Sequence, residues 1–550
     1  MKKYVPAEQV KLFDRRWPDK VIEKAPIWTS VDLRDGNQAL PAPMNVNQKV
    51  ELFQLLLEIG FKEIEIGFPS ASQIEYDFTR LLVDENLIPE DAAIQVLTQA
   101  REHLIDKTFI SCKGMKKIVL HLYNSTSALQ RKITFGKSKD EILDIAVKGT
   151  QMVVDRLSAL PDTKVILEYS PESFTGTELD YALEVCEAVT DIWNPEKNGK
   201  IIINLPATVE MSTPNVFADR IEWFSRNFSK REHMILSVHT HNDRGTGLAA
   251  TELALLAGAD RVEGTLFGNG ERTGNLDIVN VALNLFSQGV DPGLKLFDIP
   301  RIREIYEKTT GMSVHERHPY AGDLVFTAFS GSHQDAIKKG MDKIVDKKNS
   351  LWEVPYLPID PEDIGRSYEA IIRINSQSGK GGVSYIMSRK FGLEIPKDMH
   401  PVIGKAVNKV SDELVKEISP EEIYEIFRDS FLNIQSPLKM HGYRIFSDER
   451  QAVKCVADME YDGKKLEIQG SGNGPIDAFV HGMQEMGWDH FTIEDFHEQA
   501  LGSGASTEAV AYIQIKKDGE FFWGAGRHTD SIAASLYAIL SAYNNSQKDI

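Results

Sequence analysis

Hydrophobic residues between about positions 27 and 299 follow a repeated pattern, in which a short β-rich run precedes a longer amphipathic stretch. The amphipathic stretches, for example 47–57 and 141–160, carry apolar residues at i, i+3 and i+4, the spacing of one helix face. The runs predicted to be strands begin at Ile27, Lys62, Ala93, Lys117, Lys164, Ile201, Met234 and Asp260. Strands that alternate with helices indicate βαβ units and a parallel sheet.

The number of these units distinguishes between two kinds of α/β fold. Eight units over about 270 residues match a closed (β/α)8 barrel better than an open doubly wound sheet. A dinucleotide-binding sheet also carries a GxGxxG motif after its first strand, and this sequence has none there. We therefore predict an α/β fold in which residues 1–300 form a TIM barrel with an N-terminal extension.

The pattern changes twice after residue 300. Residues 301–430 combine helical stretches with Pro- and Gly-rich segments, which predicts one or two small helical subdomains. Residues 431–550 contain two sets of β-rich runs, each followed by a glycine turn and a helix. The helices of both regions are predicted at 302–308, 334–341, 412–417, 420–427, 476–486 and 529–542. The last region is thus predicted to be a duplicated βββα module, in which two facing glycine turns form a small-molecule pocket.

Composition narrows the classes of function. The formal net charge is −19, and no run of basic residues is present, so a nucleic-acid partner is not expected. Cys112, Cys186 and Cys455 are widely spaced and odd in number, which predicts reduced thiols in a cytoplasmic protein. The N-terminus lacks the apolar run of a signal peptide, and no stretch approaches the roughly 18 apolar residues of a membrane span, so no membrane association is expected.

Two histidines in the motif HTHND, at the end of the seventh predicted strand, are the first candidate site residues. Residues i and i+2 of a strand share a face, so His239 and His241 are expected to project together and to bind one metal ion. The carboxyl ends of barrel strands are also where such barrels place their active sites. Taken alone, the pair has an alternative explanation as two buried histidines that only pack and hydrogen-bond.

Two further motifs are expected at the same end of the barrel. Arg34 and Asp35 lie in LRDGNQ after the first strand, and GNGERTGN at 268–275 follows the eighth. Strands one, seven and eight are neighbours in a closed barrel, so the three loops converge. A carboxylate, two imidazoles and the amide of Asn269 or Asn275 suit Zn²⁺, Mn²⁺ or Mg²⁺ acting as a Lewis acid. By itself, GNGERTGN also suits a tight loop held by a Glu–Arg pair.

Together these motifs resemble those of the isopropylmalate synthase and homocitrate synthase family, whose members are metal-dependent Claisen-type condensing enzymes on a TIM barrel. GSGNGPIDA near the C-terminus and VPYLPIDPEDIG in the middle are similar to the long isopropylmalate synthases, so the resemblance covers essentially the whole chain. It implies that a homodimer joins acetyl-CoA to 3-methyl-2-oxobutanoate. It also implies a divalent cation, Mg²⁺ before Zn²⁺ or Mn²⁺, with K⁺ as an activator.

The resemblance further implies roles for individual residues. It assigns the metal to Asp35, His239, His241 and Asn275, and so selects Asn275 over Asn269. Arg34 would neutralise the keto oxygen of the substrate as it becomes an alkoxide. The substrate would contact side chains near the ends of strands four to six and in the last loop, namely His121, Ser170, Glu172, Thr208 and Glu271. The alternative for Ser170 and Glu172 is an ordinary loop entry, and for Thr208 a helix cap.

A base must also remove a proton from the methyl group of acetyl-CoA. We favour His333, because its segment reaches the barrel of a neighbouring subunit in the family, and Tyr368 is a second catalytic candidate there. Glu172 and Glu271 are the alternative bases. Lys380 in GKGG resembles a phosphate loop, but the Ser or Thr after the Lys is missing, so only a contact with the CoA phosphates is retained for it.

For the C-terminal module the resemblance implies feedback inhibition by leucine. The pocket would be lined by Gly472, Gly474, Pro475, Ile476 and Ala478. A glycine turn at a helix start offers N–H groups to a carboxylate, so an amino acid is a sensible ligand. The alternative is a module that serves dimerisation only.

Three competing functions remain at this point. Homocitrate or citramalate synthase differs only in the 2-oxo acid, and a dicarboxylic acid would need an additional cationic partner in the pocket. A metal-dependent lyase or carboxyltransferase barrel generally lacks the C-terminal module. A non-catalytic amino-acid sensor predicts the loss of at least one metal ligand, and none is missing from the sequence.

Overall fold

The computed structural model describes residues 3, 5–328, 330–344, 351–367, 380–414, 418–447, 453–488, 490–502 and 507–548. The chain divides into two compact units. The first consists of Met1–Val325 with Ile359–Ser367, and the second of Phe326–Pro358 with Tyr368–Ile550. None of the helices in the described part of the chain has the length and apolar character that a membrane span requires.

The first unit contains a closed barrel of eight parallel strands, which confirms the predicted TIM barrel. The strands pair in chain order, and β1 closes the barrel on β8. They are β1 Ile27–Ser30, β2 Glu63–Gly67, β3 Ala93–Gln99, β4 Lys117–Ser125, β5 Lys164–Glu172, β6 Ile201–Ala207, β7 Met234–Thr240 and β8 Arg261–Gly264. All eight begin within one residue of the predicted positions.

Helices of ten or more residues follow the strands. They are α1 Val46–Ile59, α2 Gln73–Asp84, α3 Glu102–Ser111, α4 Lys139–Arg156, α5 Leu179–Trp193, α6 Pro214–Asn227, α7 Gly247–Leu256 and α8 Ile278–Ser287. Their ends follow from local chemistry. Helix α4, for example, begins at a capping box in which Ser138 and Glu141 each bond the other's backbone N–H, and α1 ends at Gly60 with a φ of 111°.

The interior of the barrel is polar as well as apolar. Inward-facing positions of β2 and β8 carry Glu63, Glu65, Arg261 and Glu263, each of them buried. Arg261 donates to Glu63 Oε2 at 2.7 Å and to Glu263 Oε1 at 3.0 Å, so the cation is paired within the barrel. These buried ion pairs lie one layer below the carboxyl ends of the strands and support the side chains there.

Further helices follow the barrel. They are α9 Ile299–Thr310, α10 Gly331–Lys343, α11 Lys380–Phe391, α12 His400–Leu414 and α13 Pro420–Phe431. The predictions for α9, α10 and α13 are confirmed. The helix predicted at 412–417 was wrong in its start, because residues 412–414 are the end of the much longer α12, whereas 415–417 lie outside the described residues. No helix was predicted over α11.

The C-terminal region of the second unit is the predicted duplicated βββα module. Two three-stranded antiparallel sheets each lead into a helix. The elements are β9 Leu438–Ser447, β10 Val453–Tyr461, β11 Lys464–Gly472, α14 Pro475–Glu485, β12 Phe491–Ala500, β13 Ala509–Lys517, β14 Glu520–His528 and α15 Ser531–Ser546. Both helices contribute to one core, through Phe479 of α14 and Leu536 and Ile539 of α15.

The same close packing of helix on strand occurs in both halves of this module. A Cβ atom at Gly470 of β11 would lie 2.2 Å from the carbonyl oxygen of Ala478, and one at Gly526 of β14 would lie 1.9 Å from that of Ala534. Each helix backbone therefore rests on a glycine of the strand that precedes it. This shared geometry supports the duplication that the two glycine turns predicted. All three cysteines are buried free thiols.

Candidate active site

A cavity of about 270 Å³ opens at the carboxyl end of the barrel strands. This volume lies just below the range of about 300–1,000 Å³ that is usual for ligand pockets, so it suits a small molecule. It is lined by Arg34, Asp35, Gln38, Leu97, His121, Tyr123, Ser170, Glu172, Asn204, Pro206, Thr208, His239, His241, Glu271 and Arg272. Nine of the candidate residues therefore share one cavity, as their positions at strand ends predicted.

The turn after β1 positions Arg34 and Asp35. The first strand ends at Ser30, and the backbone then forms a tight π-helical turn over Asp32–Gly36. The turn closes because the N–H groups of residues 34, 35 and 36 all donate to the carbonyl of Val31. It directs Arg34 towards Glu65, whose Oε2 accepts from Nε at 2.5 Å, and Arg34 NH1 lies 3.0 Å from Asp35 Oδ1.

Asp35, His239 and His241 form a group whose ligand atoms lie within 4.8 Å of one another. Oδ2 of Asp35 is 3.3 Å from Nε2 of His239 and 3.7 Å from Nε2 of His241. All three side chains are buried, and among the described residues Asp35 Oδ2 has no partner with hydrogen-bond geometry. A buried carboxylate oxygen that faces two imidazole nitrogens without a hydrogen bond suits a metal site.

Asn275 completes this group from the loop after β8. Its Nδ2 donates to the carbonyl of Asn269 at 3.1 Å, so its Oδ1 is the atom that faces His239 Nε2, also at 3.1 Å. The loop is held against the end of β7 by a backbone bridge between His241 and Asn275. Asn269 instead donates its own side chain to the carbonyl of Gly36. Asn275, and not Asn269, therefore directs its side-chain oxygen towards His239.

Glu263 determines which nitrogen of His239 faces the group. Its Oε2 lies 2.9 Å from Nδ1, so the Nδ1–H donates to it and Nε2 is the nitrogen that faces Asp35 and Asn275. A carboxylate oxygen, two imidazole nitrogens and an amide oxygen are a donor set that suits a divalent cation.

The electrostatics of the group favour positive charge at its centre. Burial lowers the pKa of His239, but the adjacent carboxylates of Asp35 and Glu263 outweigh this and raise it to about 9. Burial and the neighbouring His239 charge lower the pKa of His241 to about 4. Burial also opposes ionisation of Asp35, yet Arg34 and the two histidines hold the pKa of that carboxyl below its ordinary value. The same negative field that favours a proton on His239 favours a cation.

The opposite wall of the cavity contains the residues expected to contact substrate. His121 is in the middle of β4 rather than at its end, and its Nε2 lies 2.8 Å from Ser170 Oγ. Glu172 accepts a hydrogen bond from Ser125. Thr208 follows β6 by one residue and is not a helix cap, because its Oγ1 accepts from the backbone N–H of Ser173 at 2.9 Å. At the mouth, Glu271 Oε1 accepts from Gln38 Nε2 at 3.1 Å.

Six lining residues were not predicted from the sequence, namely Gln38, Leu97, Tyr123, Asn204, Pro206 and Arg272. Tyr123 lies two residues after the predicted His121 on β4, and Asn204 lies two residues after the inward-facing Ile202 on β6. Because alternate residues of a strand share a face, this spacing could have predicted that both line the cavity. Glu65 and Glu263, which hold Arg34 and His239, were also missed. They alternate with apolar residues in their strands, and charged residues are normally expected on the solvent side.

The remaining candidates belong to the second unit. His333 is near the start of α10, is exposed, and stacks on the ring of Tyr356 at a centroid distance of 4.0 Å. Tyr368 lies outside the described residues. Gly472 ends β11, Gly474 precedes α14, and Pro475 is its first residue. Ile476 and Ala478 follow in the first turn, so these five residues do form one strand-to-helix junction.

Three family models match successive parts of the chain. A family model described as HMGL-like matches residues 25–305. A model described as alpha-isopropylmalate synthase, post-catalytic domain-like matches residues 323–388, and one described as LeuA allosteric (dimerisation) domain matches residues 417–547. The barrel and its Asp–His–His group thus place the chain in the HMGL-like class of barrel proteins.

Individual relatives extend this class to a particular family. The 2-isopropylmalate synthase of Clostridium acetobutylicum is 57% identical over 99% of this chain and 99% of that protein. That of Acetoanaerobium sticklandii is 53% identical over 99% of this chain and 96% of that protein. The chain belongs to the 2-isopropylmalate synthase family, which confirms the resemblance seen in the motifs. A solved hydroxymethylglutaryl-CoA lyase from Pseudomonas aeruginosa covers 53% of this chain at 18% identity, with a TM-score of 0.44.

Proposed function

We propose that this chain condenses acetyl-CoA with 3-methyl-2-oxobutanoate and water, which gives 2-isopropylmalate and CoA. The observation that carries the proposal is the group formed by Asp35, His239, His241 and Asn275, which lies beside Arg34 in one small cavity. A base removes a methyl proton from acetyl-CoA, and the resulting carbon nucleophile bonds to the keto carbon. The keto oxygen gains a proton, and water then cleaves the thioester.

Asp35, His239, His241 and Asn275 would hold the divalent cation, with Mg²⁺ favoured over Zn²⁺ or Mn²⁺ and K⁺ as an additional activator. When bound, such a cation supplies Lewis-acid polarisation of a ketone. Arg34 adds fixed positive charge on the same side of the cavity. Its guanidinium is anchored by Glu65 and Asp35 before substrate binds, so stabilising an alkoxide needs no reorganisation.

The cavity favours a branched apolar acid over a dicarboxylic acid. Leu97, Tyr123 and Pro206 give it an apolar wall. Of the two arginines that line it, Arg34 is engaged by Glu65 and Arg272 is paired with Asp243 at 2.7 Å. A second substrate carboxylate would therefore compete with an existing ion pair. This arrangement supports 3-methyl-2-oxobutanoate over 2-oxoglutarate.

We assign proton removal from acetyl-CoA to His333 of a neighbouring subunit in a homodimer, with Tyr368 as its companion. Support comes from the LeuA allosteric (dimerisation) match and from the exposed position of His333, which leaves its ring accessible to another chain. Glu172 and Glu271 line the cavity and are the alternative bases within the barrel.

Leucine is proposed as the inhibitor that binds the C-terminal module, at Gly472, Gly474, Pro475, Ile476 and Ala478. Gly474 precedes α14 and contributes no side-chain cap, so the first turn of the helix is open to a carboxylate. We further propose residues 1–300 as the catalytic domain, 301–430 as the linker subdomains and 431–550 as the regulatory domain. The buried free thiols are consistent with work in the reducing cytoplasm.

Thiol release from acetyl-CoA tests this function. Purified protein with Mg²⁺ or Mn²⁺ is given 3-methyl-2-oxobutanoate, pyruvate or 2-oxoglutarate, each with and without leucine. We expect strong turnover with 3-methyl-2-oxobutanoate and suppression of that turnover by leucine. Turnover with another acid in its place would show that 3-methyl-2-oxobutanoate is not the substrate. Absence of thiol release with every acid would overturn the proposed condensation.

A pair of histidine variants separates the site from general damage. His239→Ala removes a proposed metal ligand and is expected to abolish thiol release. His233→Ala changes a histidine on the N-terminal side of β7, outside the cavity, and is expected to retain it. Equal loss in both variants would argue against the assigned site.

A further inference from the structure

A carboxyl group is buried beneath the cavity without any role in the reaction described so far. Glu168 is on β5, two residues before Ser170, and its side chain has no solvent exposure. Among the described residues, no donor reaches either of its oxygens with hydrogen-bond geometry. A buried carboxylate without donors is strongly unfavourable, so the environment of Glu168 favours its neutral, protonated form.

The nearest cationic side chain, that of Arg261, does not remove this preference for the protonated form. Arg261 NH2 is 3.2 Å from Glu168 Oε2, but the same guanidinium also donates to Glu63 and Glu263. Glu65 faces the same interior from β2 and is already bonded to Arg34. The barrel interior thus holds four glutamates against two arginines.

The divalent cation that the proposed function requires would nearly neutralise the charge of this interior. Its two positive charges join those of Arg34 and Arg261, and Asp35 adds one more carboxylate. The charges then cancel if one carboxyl keeps a proton. Glu63, Glu65 and Glu263 each accept hydrogen bonds as anions, so Glu168 is the carboxyl group that keeps the proton.

His121 connects Glu168 to the cavity. Its Nδ1 lies 2.8 Å from Glu65 Oε1, and because Glu65 is the anion that binds Arg34, the Nδ1–H must donate. Its Nε2 is 2.8 Å from Ser170 Oγ, which in turn accepts from Asn204 Nδ2 at 3.0 Å. Nε2 is therefore the acceptor atom of the ring. Glu168 Oε1 lies 3.6 Å from it.

The pKa of Glu168 agrees with this geometry. Burial raises it most, Arg261 lowers it, and the neighbouring carboxylates Glu263 and Glu65 raise it again, so it lies well above the ordinary value for a glutamate. Asn204 of β6 and Gln95 of β3 are neutral groups that face the same space.

We propose that Glu168 stores a proton beneath the cavity and passes it to Nε2 of His121 when negative charge develops there. The O–H bond of Glu168 breaks as an N–H bond forms on His121, and the new carboxylate is paired with Arg261. His121 then gives this proton to the former keto oxygen. The methyl proton taken by the base leaves to solvent, and Glu168 regains one from solvent. The presence of a proton on Glu168 does not depend on the proposed condensation, whereas its delivery to the substrate rests on that reaction.

The stored proton is tested without turnover by infrared spectroscopy. We expect a carboxylic-acid C=O band that persists at alkaline pH, where Asp32, whose pKa is raised by burial to about 7, is ionised. This band should shift in D₂O and be lost in Glu168→Gln. Ser237→Ala is the matched control, because Ser237 contacts the same Arg261 and its loss leaves the number of carboxyl groups unchanged, and it should keep the band. If Glu168→Gln does not fold, wild-type protein labelled with ¹³C at the glutamate carboxyls should still show one acid-form signal. Absence of the acid form in the wild type would overturn the proposal.

Delivery of the proton is tested by kinetics. Loss of a positioned acid costs about 10²–10⁴-fold in rate, so kcat of Glu168→Gln should fall by at least about 10²-fold while the KM for the 2-oxo acid changes little. An unchanged kcat, with the infrared band lost, would rule out delivery but leave the stored proton. Absence of thiol release in the wild type would instead reject the condensation, and the spectroscopic result would still be valid.

Discussion

At the scale of single residues, the chemistry of His239 is decided by what its other nitrogen touches. The Nδ1–H group donates to Glu263, which is itself held by Arg261, Gln95 and Asn204. Nε2 is consequently the nitrogen that faces the centre of the Asp–His–His group. A ligand fixed in this way loses little rotational freedom when a cation binds, which is why such partners strengthen metal sites.

Glu263→Gln should therefore weaken metal binding while the barrel remains folded. The amide at this position can no longer act as a charged acceptor for Nδ1–H, and loss of such partners typically reduces metal affinity about 10–100-fold. Titration of the protein with Mn²⁺, followed by electron paramagnetic resonance, measures this directly. Thermal unfolding checks the fold.

Ser237→Ala provides the matched control for that experiment. Ser237 is buried and accepts from Arg261 NH1 at 2.9 Å, so its loss disturbs the same ion-pair cluster without touching His239. We expect nearly wild-type Mn²⁺ affinity in this variant. Equal weakening in both variants would show that the cluster acts on the site through general packing rather than through the Glu263–His239 bond.

Sequence periodicity predicted the residues that face the cavity better than the residues that hold them. His239 and His241, and likewise Ser170 and Glu172, follow the i, i+2 rule at strand ends, and the structure places all four in the cavity. Glu65 and Glu263 follow the same rule, but one layer deeper. A charged residue in that layer is stable only with partners from distant strands, and a single sequence does not reveal those partners.

At the scale of elements, the loop between β8 and α8 depends on glycine at Gly274. Its φ is 104°, and a Cβ atom there would lie 2.1 Å from the carbonyl oxygen of Gly268. The next residue, Asn275, donates its backbone N–H to that same carbonyl. Gly274→Ala should displace Asn275, lower the metal affinity and reduce thiol release strongly, as measured by the Mn²⁺ titration and the thiol assay.

Gly245→Ala is the control that distinguishes the effect of backbone strain from the effect of the steric clash at Gly274. Gly245 is in the neighbouring loop after β7 and has a φ of 72°, but an added Cβ atom would meet no atom within 4 Å. This variant should lose only the about 1–2 kcal/mol of a left-handed alanine and should keep its metal affinity. Metal affinity that falls in Gly245→Ala as much as in Gly274→Ala would contradict the assigned role of the β8–α8 loop.

An ion pair near the carboxyl ends of the strands predicts a dependence of stability on pH. Burial raises the pKa of Glu178, but hydrogen bonds from Arg131 outweigh this and lower it to about 2. Because the folded pKa is below the unfolded value, the pair stabilises the protein above about pH 4.5, and this is lost as the pH falls towards 2. Glu178 is partly exposed, so solvent screening limits the contribution to about 1 kcal/mol.

Glu178→Gln tests that expectation by urea unfolding across the acidic range. The variant should be less stable than the wild type at neutral pH, and the difference should shrink as the pH falls below about 4.5. A difference in unfolding free energy that stays constant with pH would show that the Arg131–Glu178 contact contributes through packing and not through charge.

The elements that the sequence failed to predict lack a strong local signal. Helix α11 begins with Lys380-Gly-Gly, and glycine costs about 1 kcal/mol in a helix interior, so no helix was expected there. Helix α12 begins at His400 with a proline next to it, which is favourable in the first turn of a helix but also typical of a break. Both are stabilised by a shared core that includes Met387, Ile403 and Val407. Tertiary packing, rather than local helix propensity, thus determines that these two segments are helical.

At the scale of the whole molecule, the barrel and the C-terminal module carry separate parts of the proposed function. The barrel is recognisable from its eight repeated units, and the C-terminal module from its duplication, because both are regular patterns in one sequence. The boundary between them is not: residues 359–367 belong to the first unit although they follow 326–358 of the second. Such an exchange depends on packing across long sequence distances and has no local signature.

This division of tasks predicts that inhibition by leucine can be removed without loss of catalysis. A Cβ atom at Gly472 would lie 2.5 Å from Asp477 Oδ2 and 2.6 Å from Ala478 N, so Gly472→Ala distorts the proposed leucine site at the start of α14. Thiol release without leucine should persist, whereas its suppression by leucine should disappear. Gly442→Ala, where an added Cβ atom meets nothing within 4 Å, should remain sensitive. Leucine that still inhibits Gly472→Ala would place its binding site elsewhere in the chain, and a loss of basal thiol release would show that the module also supports the catalytic unit.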